Sequence, residues 1–399
     1  MADRVDRAPQ PSVAEAGVRP GNPPGPMSIN SGPAAVLLVL FGNPPRLLIS
    51  TGVNFSMKRF VQLLLMSIPG LAMAQSSVTL YGLVDTGIQY LTNADSAGHR
   101  SIGMAPNAYL PSRFGFRGVE DLGGGVKAVF QLENGFNSAT GSMVVANTLF
   151  NRQAWVGVDG SVGKLTFGRQ YSVQFDRAIY YDPTFFAAYS ALSLNAIPLA
   201  TIRVNNSAKF TSSRFAGFTT EAMYGFGQQE PGNALAGRYI GAALEYTVNR
   251  FTATATYEQA RGTVTKTGDL SSRVDNRYAF AARYNAAKFA VMANVTRVTG
   301  DLQLTPRGTV YWLAGNAFVT PFLQLYAIGG RYDYQGCDAH PMIFVAGTLY
   351  SLSKRTMLYA NVGTARNNGG SSLGLNNYAS VGQPGHSQLG VAVGIDQKF

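Results

Sequence analysis

The chain holds three histidines, His99, His340 and His386, and a single cysteine, Cys337. Acid–base or nucleophilic catalysis needs a base within hydrogen-bond reach of a hydroxyl or thiol. None of the four residues lies in a motif that supplies such a pair. Each histidine sits among Gly, Asp and Pro, the composition of loops, so a surface position is expected for each. One thiol makes no internal disulfide and no Cys-rich metal centre. The run Gly123-Gly124-Gly125 lacks the Lys-Ser/Thr of a phosphate loop and reads as a tight turn. No catalytic residue, metal site or cofactor is therefore expected. What remains is charge held in a pattern. Arg113 and Arg117 share a parity opposite to Phe114 and Phe116, and Lys127 and Glu133 oppose Val126, Phe130 and Leu132. Side chains alternate across a strand, so these four are expected to point away from an apolar face.

That alternation runs through the chain. Leu389, Val391, Val393, Ile395 and Phe399 fall on one face, with Gln388, Gly390, Ala392, Gly394, Asp396 and Lys398 on the other. Phe251 to Glu258 and Arg277 to Tyr284 repeat it, with apolar and aromatic side chains against small, polar or charged ones. Sixteen such segments are predicted, near residues 77–91, 108–119, 125–137, 150–159, 163–170, 204–213, 217–227, 237–249, 251–261, 274–286, 287–299, 308–318, 321–334, 340–352, 355–366 and 386–399. Short connections, such as 120–124, 249–250 and 352–355, alternate with long ones, such as 92–107, 260–273 and 367–385.

Only 13% of residues are charged, about half the ~25% usual in globular domains, and mean hydropathy is +0.02. A soluble β-sandwich would place charge on its outer face, and a propeller would show a short internal repeat; neither is seen. The expected fold is all-β, a transmembrane antiparallel barrel of about 16 strands. Closure follows because an open sheet edge in lipid leaves backbone groups unpaired. An even strand count puts both termini on the periplasmic side, with Tyr and Phe at strand ends forming interfacial girdles. The basic excess has no accompanying basic-aromatic module, so a cationic lumen is expected rather than nucleic-acid binding.

Residues 57–74, MKRFVQLLLMSIPGLAMA, have a basic start, a short apolar run and an Ala72-Met73-Ala74 cleavage pattern, and read as a signal peptide. Residues 1–56 hold nine of the 19 prolines and no periodic pattern. They read as a disordered upstream extension from a misassigned start codon; a genuine long leader is the alternative. The barrel would then occupy 75–399. Residues 1–74 carry six basic and three acidic side chains, which leaves +8 of the total net charge of +11 to the barrel.

The longest connection, 171–203, contains Tyr180, Tyr181, Phe185, Phe186, Tyr189, Leu192, Leu194 and Ile197, but only two acids, Asp176 and Asp182. Long loops without structure are rare unless functional, and an apolar one needs a surface to pack on. It is expected to fold inward and narrow the channel; a plain extracellular loop is the alternative.

Several motifs, in order along the chain, resemble Gram-negative general diffusion porins of the Neisseria/Burkholderia type. They are Ser76-Ser77-Val78-Thr79-Leu80-Tyr81-Gly82, the segment from Ser112-Arg113-Phe114-Gly115-Phe116-Arg117-Gly118 to Gly125, Phe167-Gly168-Arg169-Gln170, Asn205-Asn206-Ser207, Leu352-Ser353-Lys354-Arg355-Thr356 and the terminal Phe399. The resemblance implies a homotrimer in the outer membrane of a Gram-negative bacterium, whose third loop forms the constriction. It also implies a ladder of arginines at Arg113, Arg152 and Arg203, facing Glu133 and Asp182; strand parity, and not the resemblance, adds Arg117 and Lys127 to the same lining. The strand near Arg152 departs from clean alternation, since Trp155 and Val156 compete for the lipid face. The expected partners are lipid and lipopolysaccharide, the insertion machinery that reads Phe399, and small anions and hydrophilic solutes. A channel for passive diffusion, preferring anions, is the expected function. The other class is an outer-membrane barrel hydrolase, a phospholipase or protease.

Overall fold

The computed structural model describes residues 77–194, 199–375 and 381–399. The signal peptide, the upstream extension and Ile197 lie outside the described residues. Strand β1 is Ser77–Leu91, and β2 comes in two segments, Ser101–Pro106 and Arg113–Gly123, which both pair with the same edge of β1. Next come β3 (Val126–Gly135), β4 (Gln153–Gly160) and β5 (Gly163–Tyr171). Beyond the long connection lie β6 (Arg203–Ser212), β7 (Phe218–Gly225), β8 (Tyr239–Val248), β9 (Phe251–Arg261) and β10 (Val274–Asn285). The last six are β11 (Phe289–Gly300), β12 (Gly308–Phe318), β13 (Leu323–Tyr334), β14 (Met342–Ser351), β15 (Thr356–Arg366) and β16 (Gln388–Lys398).

Each strand pairs antiparallel with its neighbours in sequence, and β16 returns to β1 in the register Leu83↔Lys398 to Leu91↔Gly390. The result is a closed barrel of 16 strands. Closure is completed beyond β16: Gly82 N–H donates to Phe399 O at 3.2 Å and Phe399 N–H to Gly82 O at 3.1 Å. These two bonds carry the β1–β16 pairing one residue past the ladder, in the direction that closure of a spanning sheet requires.

The predicted alternation is what the barrel wall displays. On β16, Leu389, Val391, Val393 and Ile395 are exposed, while Gln388, Gly390, Ala392 and Asp396 are buried. Phe218, Tyr246, Phe251, Tyr284, Phe289, Phe318, Phe322 and Tyr350 are exposed on the short-turn side, the place of an interfacial girdle. Gly123, Gly124 and Gly125 all have positive φ, at 82°, 62° and 80°. They make the tight turn from β2 to β3, with Asp121 Oδ1 accepting from Gly123 N–H at 2.9 Å; only glycine takes three such values without strain.

Two details depart from the sequence reading. Residues 101–106, expected in a long loop, form the upper segment of β2, with Ile102 and Met104 exposed. The strand leaves the ladder at Asn107, whose φ is 65°, and rejoins at Arg113. The second departure concerns the buried face of β11–β15, expected to be small or polar. It carries Met292, Val310, Trp312, Tyr326, Ile328, Ile343 and Val345. These strands are apolar on both faces because the long connection covers the second one.

That connection contains helix α1 (Val173–Ala178), 3-10 turns at Ile179–Tyr181 and Ala191–Leu194, and a last helical turn, α2 (Leu199–Ile202). Tyr181, Phe186, Ala187, Tyr189, Leu192 and Leu194 join one apolar cluster with Trp312, Tyr326, Ile328, Val345, Tyr359 and Ala392. Gly330, Gly363 and Gly390 leave the room: a Cβ at Gly330 would stand 2.6 Å from Leu194, and one at Gly363 would stand 3.2 Å from Tyr189.

Candidate functional site

Arg113 opens the lower segment of β2, and its direction is set by the break before it. Ser112 locks that break: its Oγ accepts from Asp85 N–H at 2.9 Å and donates to Asp85 O at 3.1 Å. The next strand but one is entered through Asn151, whose side chain accepts from Gly135 N–H and donates to Gly135 O, both at 3.0 Å. Arg152 follows that clamp and precedes β4. Strand alternation therefore says nothing about its direction, which explains the ambiguity in the sequence. Within β4, Val156 and Val158 take the exposed face and Trp155 does not.

Glu133, on β3, is the hub. Its carboxylate accepts from Arg152 Nε at 2.6 Å and from Tyr81 OH at 3.0 Å, and Arg113 Nε lies 3.9 Å away. Gln131 Nε2 donates to Tyr81 OH at 2.6 Å and fixes the phenol. Arg152 Nη2 donates to Tyr171 OH at 2.5 Å, and the Arg203 guanidinium stands 5.2 Å above the Tyr171 ring. Arg152 interacts electrostatically with both Arg113 and Arg203. Two guanidiniums, Arg113 and Arg152, thus meet the Glu133 carboxylate, and a third, Arg203, adjoins Arg152 across Tyr171, so this stretch of wall is net cationic. Arg152 is buried and tied at two points; Arg113 and Arg203 are held more loosely.

Arg117 shares the face, with its guanidinium 5.6 Å from the Tyr81 ring centre, about 13 Å further along the strand. Lys127 does not belong to the group. It sits six residues from Glu133 along β3, about 20 Å, opposite Asp121 and Asp159 at the short-turn end. Asp182 is a second correction. It is fully buried within the loop and accepts from Thr184 N–H at 2.8 Å, Thr184 Oγ1 at 2.5 Å and Ala191 N–H at 3.1 Å. Burial raises its pKa, and the Thr184 and backbone hydrogen bonds hold it down in part. Among the described residues it forms no ion pair with the arginines, because its oxygens organise the loop.

A second network escaped the sequence reading. Ser172 caps α1, its Oγ accepting from Phe175 N–H at 3.3 Å. Asp176 then meets Lys209 Nζ at 2.9 Å, and Arg177 meets Glu221 at 2.5 Å and Glu245 at 3.6 Å. Burial lowers the Arg177 pKa, but Glu221 and Glu245 outweigh it and raise the value. Beside them Tyr239 OH accepts from Val173 N–H at 3.1 Å and donates to Glu258 at 2.9 Å, and Glu258 pairs with Arg277 at 3.3 Å. Arg283 donates to Tyr180 O at 2.8 Å. Parity alone puts Glu221, Glu245, Glu258 and Arg277 on the buried face; which loop residue meets them depends on a contact across many strands.

The histidines stand apart. His99 Nδ1 lies 2.7 Å from Asp95 on an exposed loop, His340 sits between Asp333 and Asp338, and His386 Nδ1 faces Pro384 O. Among the described residues none meets a serine hydroxyl, and Cys337 is exposed.

A closed barrel with an apolar outer face, a girdle and a charged inner wall defines a transmembrane barrel of the outer-membrane class. Residues 63–370 match the family model described as Gram-negative porin, and the chain belongs to that family. It is 32% identical to outer membrane porin protein 32 of Delftia acidovorans over 356 residues, 86% of this chain and 99% of that one. Major outer membrane protein P.IB of Neisseria meningitidis is 31% identical over 175 residues, covering 42% of this chain and 49% of that one. Among solved structures, an anion-selective porin from Comamonas acidovorans superposes with a TM-score of 0.72 at 29% identity, over 82% of this chain and all of that one. OmpT of Vibrio cholerae, at 18% identity and a TM-score of 0.62, shares the fold. The chain is an outer-membrane porin of a Gram-negative bacterium.

Proposed function

We propose that this porin is a water-filled channel for passive diffusion of small hydrophilic solutes, preferring anions, with the connection 171–203 as its constriction. The observation that carries the reading is the row of Arg113, Arg152 and Arg203, in which, among the described residues, Glu133 is the one carboxylate ion-paired to an arginine of the row. In a lumen with low-dielectric walls, fixed cations focus the field and raise the local anion concentration. Anion selectivity in a porin at 29% identity supports the same reading. The loop's apolar cluster and its ion pairs to β6, β7 and β8 support a fixed constriction rather than a free flap. A homotrimer embedded in lipid and lipopolysaccharide follows from the family resemblance.

Planar-bilayer recording tests this. The expected result is ohmic conductance in steps of three, with a reversal potential of anion sign in a salt gradient. A cation-signed reversal potential would overturn the preference. A silent protein that hydrolyses lipid or peptide would overturn the channel itself.

Processing is a separate proposal. The Ala72-Met73-Ala74 pattern predicts that protein isolated from the outer membrane begins at Gln75 or Ser76. Mass spectrometry of the isolated chain checks it, and peptides from residues 1–56 would count against a start at Met57.

A further inference from the structure

Two carboxylates meet across the closing seam. Asp85 on β1 and Asp396 on β16 are partners in the antiparallel register, which sets their Cβ atoms about 5 Å apart. Both residues are 0% exposed, and the two interact electrostatically. The cations that act on Asp396 are Lys398 and Arg113. Both stand level with Leu83, two residues and about 7 Å along the strand from Asp85. Among the described residues neither makes an ion pair with the two acids, and Arg113 turns to Glu133. The other titratable groups packed there are Tyr109 in the break of β2, Tyr359 on β15, and Asp182 of the long connection, which acts on Tyr109. None of these is a cation.

The hydrogen bonds of the pair are unequal. Asp85 Oδ1 accepts from Tyr109 N–H at 3.1 Å and from Tyr359 OH at 3.3 Å. Asp85 O accepts from Ser138 Oγ at 2.5 Å, besides the bond from Ser112. Asp85 Oδ2 and both side-chain oxygens of Asp396 are buried with no partner. A carboxylate removed from water and given no donor is costly. Two of them in one site are costlier, because like charges this close drive one of the pair to keep its proton. A calcium ion would need six to eight oxygen ligands, and three stand free here; one proton serves them.

We infer that Asp85 and Asp396 share one proton, with the Asp396 carboxyl donating to Asp85 Oδ2, and that this bond is a pH-sensitive lock on the β1–β16 seam. The proton belongs on Asp396 because two donors already serve Asp85 and none serves Asp396. Opening the lock releases that proton to water and leaves two facing anions. In the unfolded chain both carboxyls ionise at about pH 4, whereas the folded pair keeps one proton above that. Its contribution to stability is therefore fully present below about pH 4 and is lost as pH rises, until the proton leaves the folded pair. Over that window the unfolding constant grows by up to about tenfold per pH unit. The inference goes beyond the channel reading and depends only on the closed seam.

The test uses the full assembled porin in detergent, heated at a fixed temperature, with unfolding followed as conversion of the compact gel band to the unfolded one. Wild type is compared at pH 6 and pH 9 with Asp396→Asn, whose amide donates to Asp85 Oδ2 at every pH. Wild type is expected to unfold at least about tenfold faster at pH 9 than at pH 6, and the variant less than about twofold faster. The infrared difference between wild type and Asp396→Asn at pH 6 is expected to show the carbonyl stretch of a protonated carboxyl. Equal pH dependence in the two proteins, or no such band, would overturn the inference. So would a wild type slowed in unfolding by calcium and hastened by EDTA at pH 9, with the variant indifferent, since the pair would then hold a cation. If Asp396→Asn does not assemble, Asp85→Asn, which presents its amide to Asp396, decides by the same readouts.

Discussion

Replacing Arg113 and Arg203 together with Ser is expected to lower the anion-over-cation permeability ratio by about tenfold in 0.1 M salt and about twofold in 1 M. A charge about 6 Å from a passing ion in a water-like dielectric is worth about 0.7 kcal/mol before screening. Screening over a Debye length of about 10 Å leaves roughly half of that, and over about 3 Å roughly an eighth. Removing two charges acts in opposite directions on anions and cations, which doubles the effect on the ratio. Guanidinium stays charged at any working pH, so the wild-type preference should not fade between pH 5 and 9.

The choice of these two arginines comes from the geometry. Arg152 is buried and bonded to Glu133 and Tyr171, and removing it would leave Glu133 underpaired in a tight place, a change that confuses folding with selectivity. Arg113 is 3.9 Å from Glu133, and Arg203 is stacked over a ring, so both can go with Arg152 still neutralising Glu133. The competing account makes the arginines anchors of the loop. Asp182 turns its oxygens into the loop, and α1 is tied to Lys209, Glu221 and Glu245 instead, so that account has few contacts left. It predicts altered noise or closure at unchanged reversal potential, and that outcome would remove the selectivity role.

The barrel was legible because its one repeated constraint, an apolar outer face against a small or polar inner one, is written at period two in nearly every strand. Arg113, Arg117 and Glu133 could be aimed correctly for that reason. Arg152 could not, since it lies before its strand and takes its direction from the Asn151 clamp. Lys127 has the right face but the wrong height: parity gives the side of a wall and is silent on depth. Asp182 was misjudged because a loop carboxylate serves backbone N–H groups as readily as a pore. The place where the loop docks was visible in principle. Tyr326 and Ile328 alternate with Leu325 and Ala327, and Ile343 and Val345 with Phe344, so β13 and β14 are apolar on both faces, a pattern that a strand facing only water on its second side would not keep.

Deleting Phe399 is expected to reduce assembled porin in the outer membrane several-fold, far more than deleting Lys266 from the tip of a long loop. Two causes act at the same residue. Its backbone closes the β1–β16 seam through both bonds to Gly82, each worth about 1 kcal/mol in water-exposed settings and more where lipid offers no substitute. Its ring lies over Gly82, where any Cβ would collide with it, and a terminal aromatic in phase with Leu389, Val391, Val393 and Ile395 is the feature proposed to be read by the insertion machinery. Phe399→Ala separates the two, since it keeps the backbone bonds and removes the ring. If the ring is a signal, Phe399→Ala should accumulate poorly in cells yet refold in detergent as wild type does. If the seam dominates, Phe399→Ala should assemble well in cells, and only the deletion should refold slowly in detergent. Yields for the Phe399 deletion equal to those for the Lys266 deletion would dismiss both roles, because neither a seam nor a signal could then depend on the last residue.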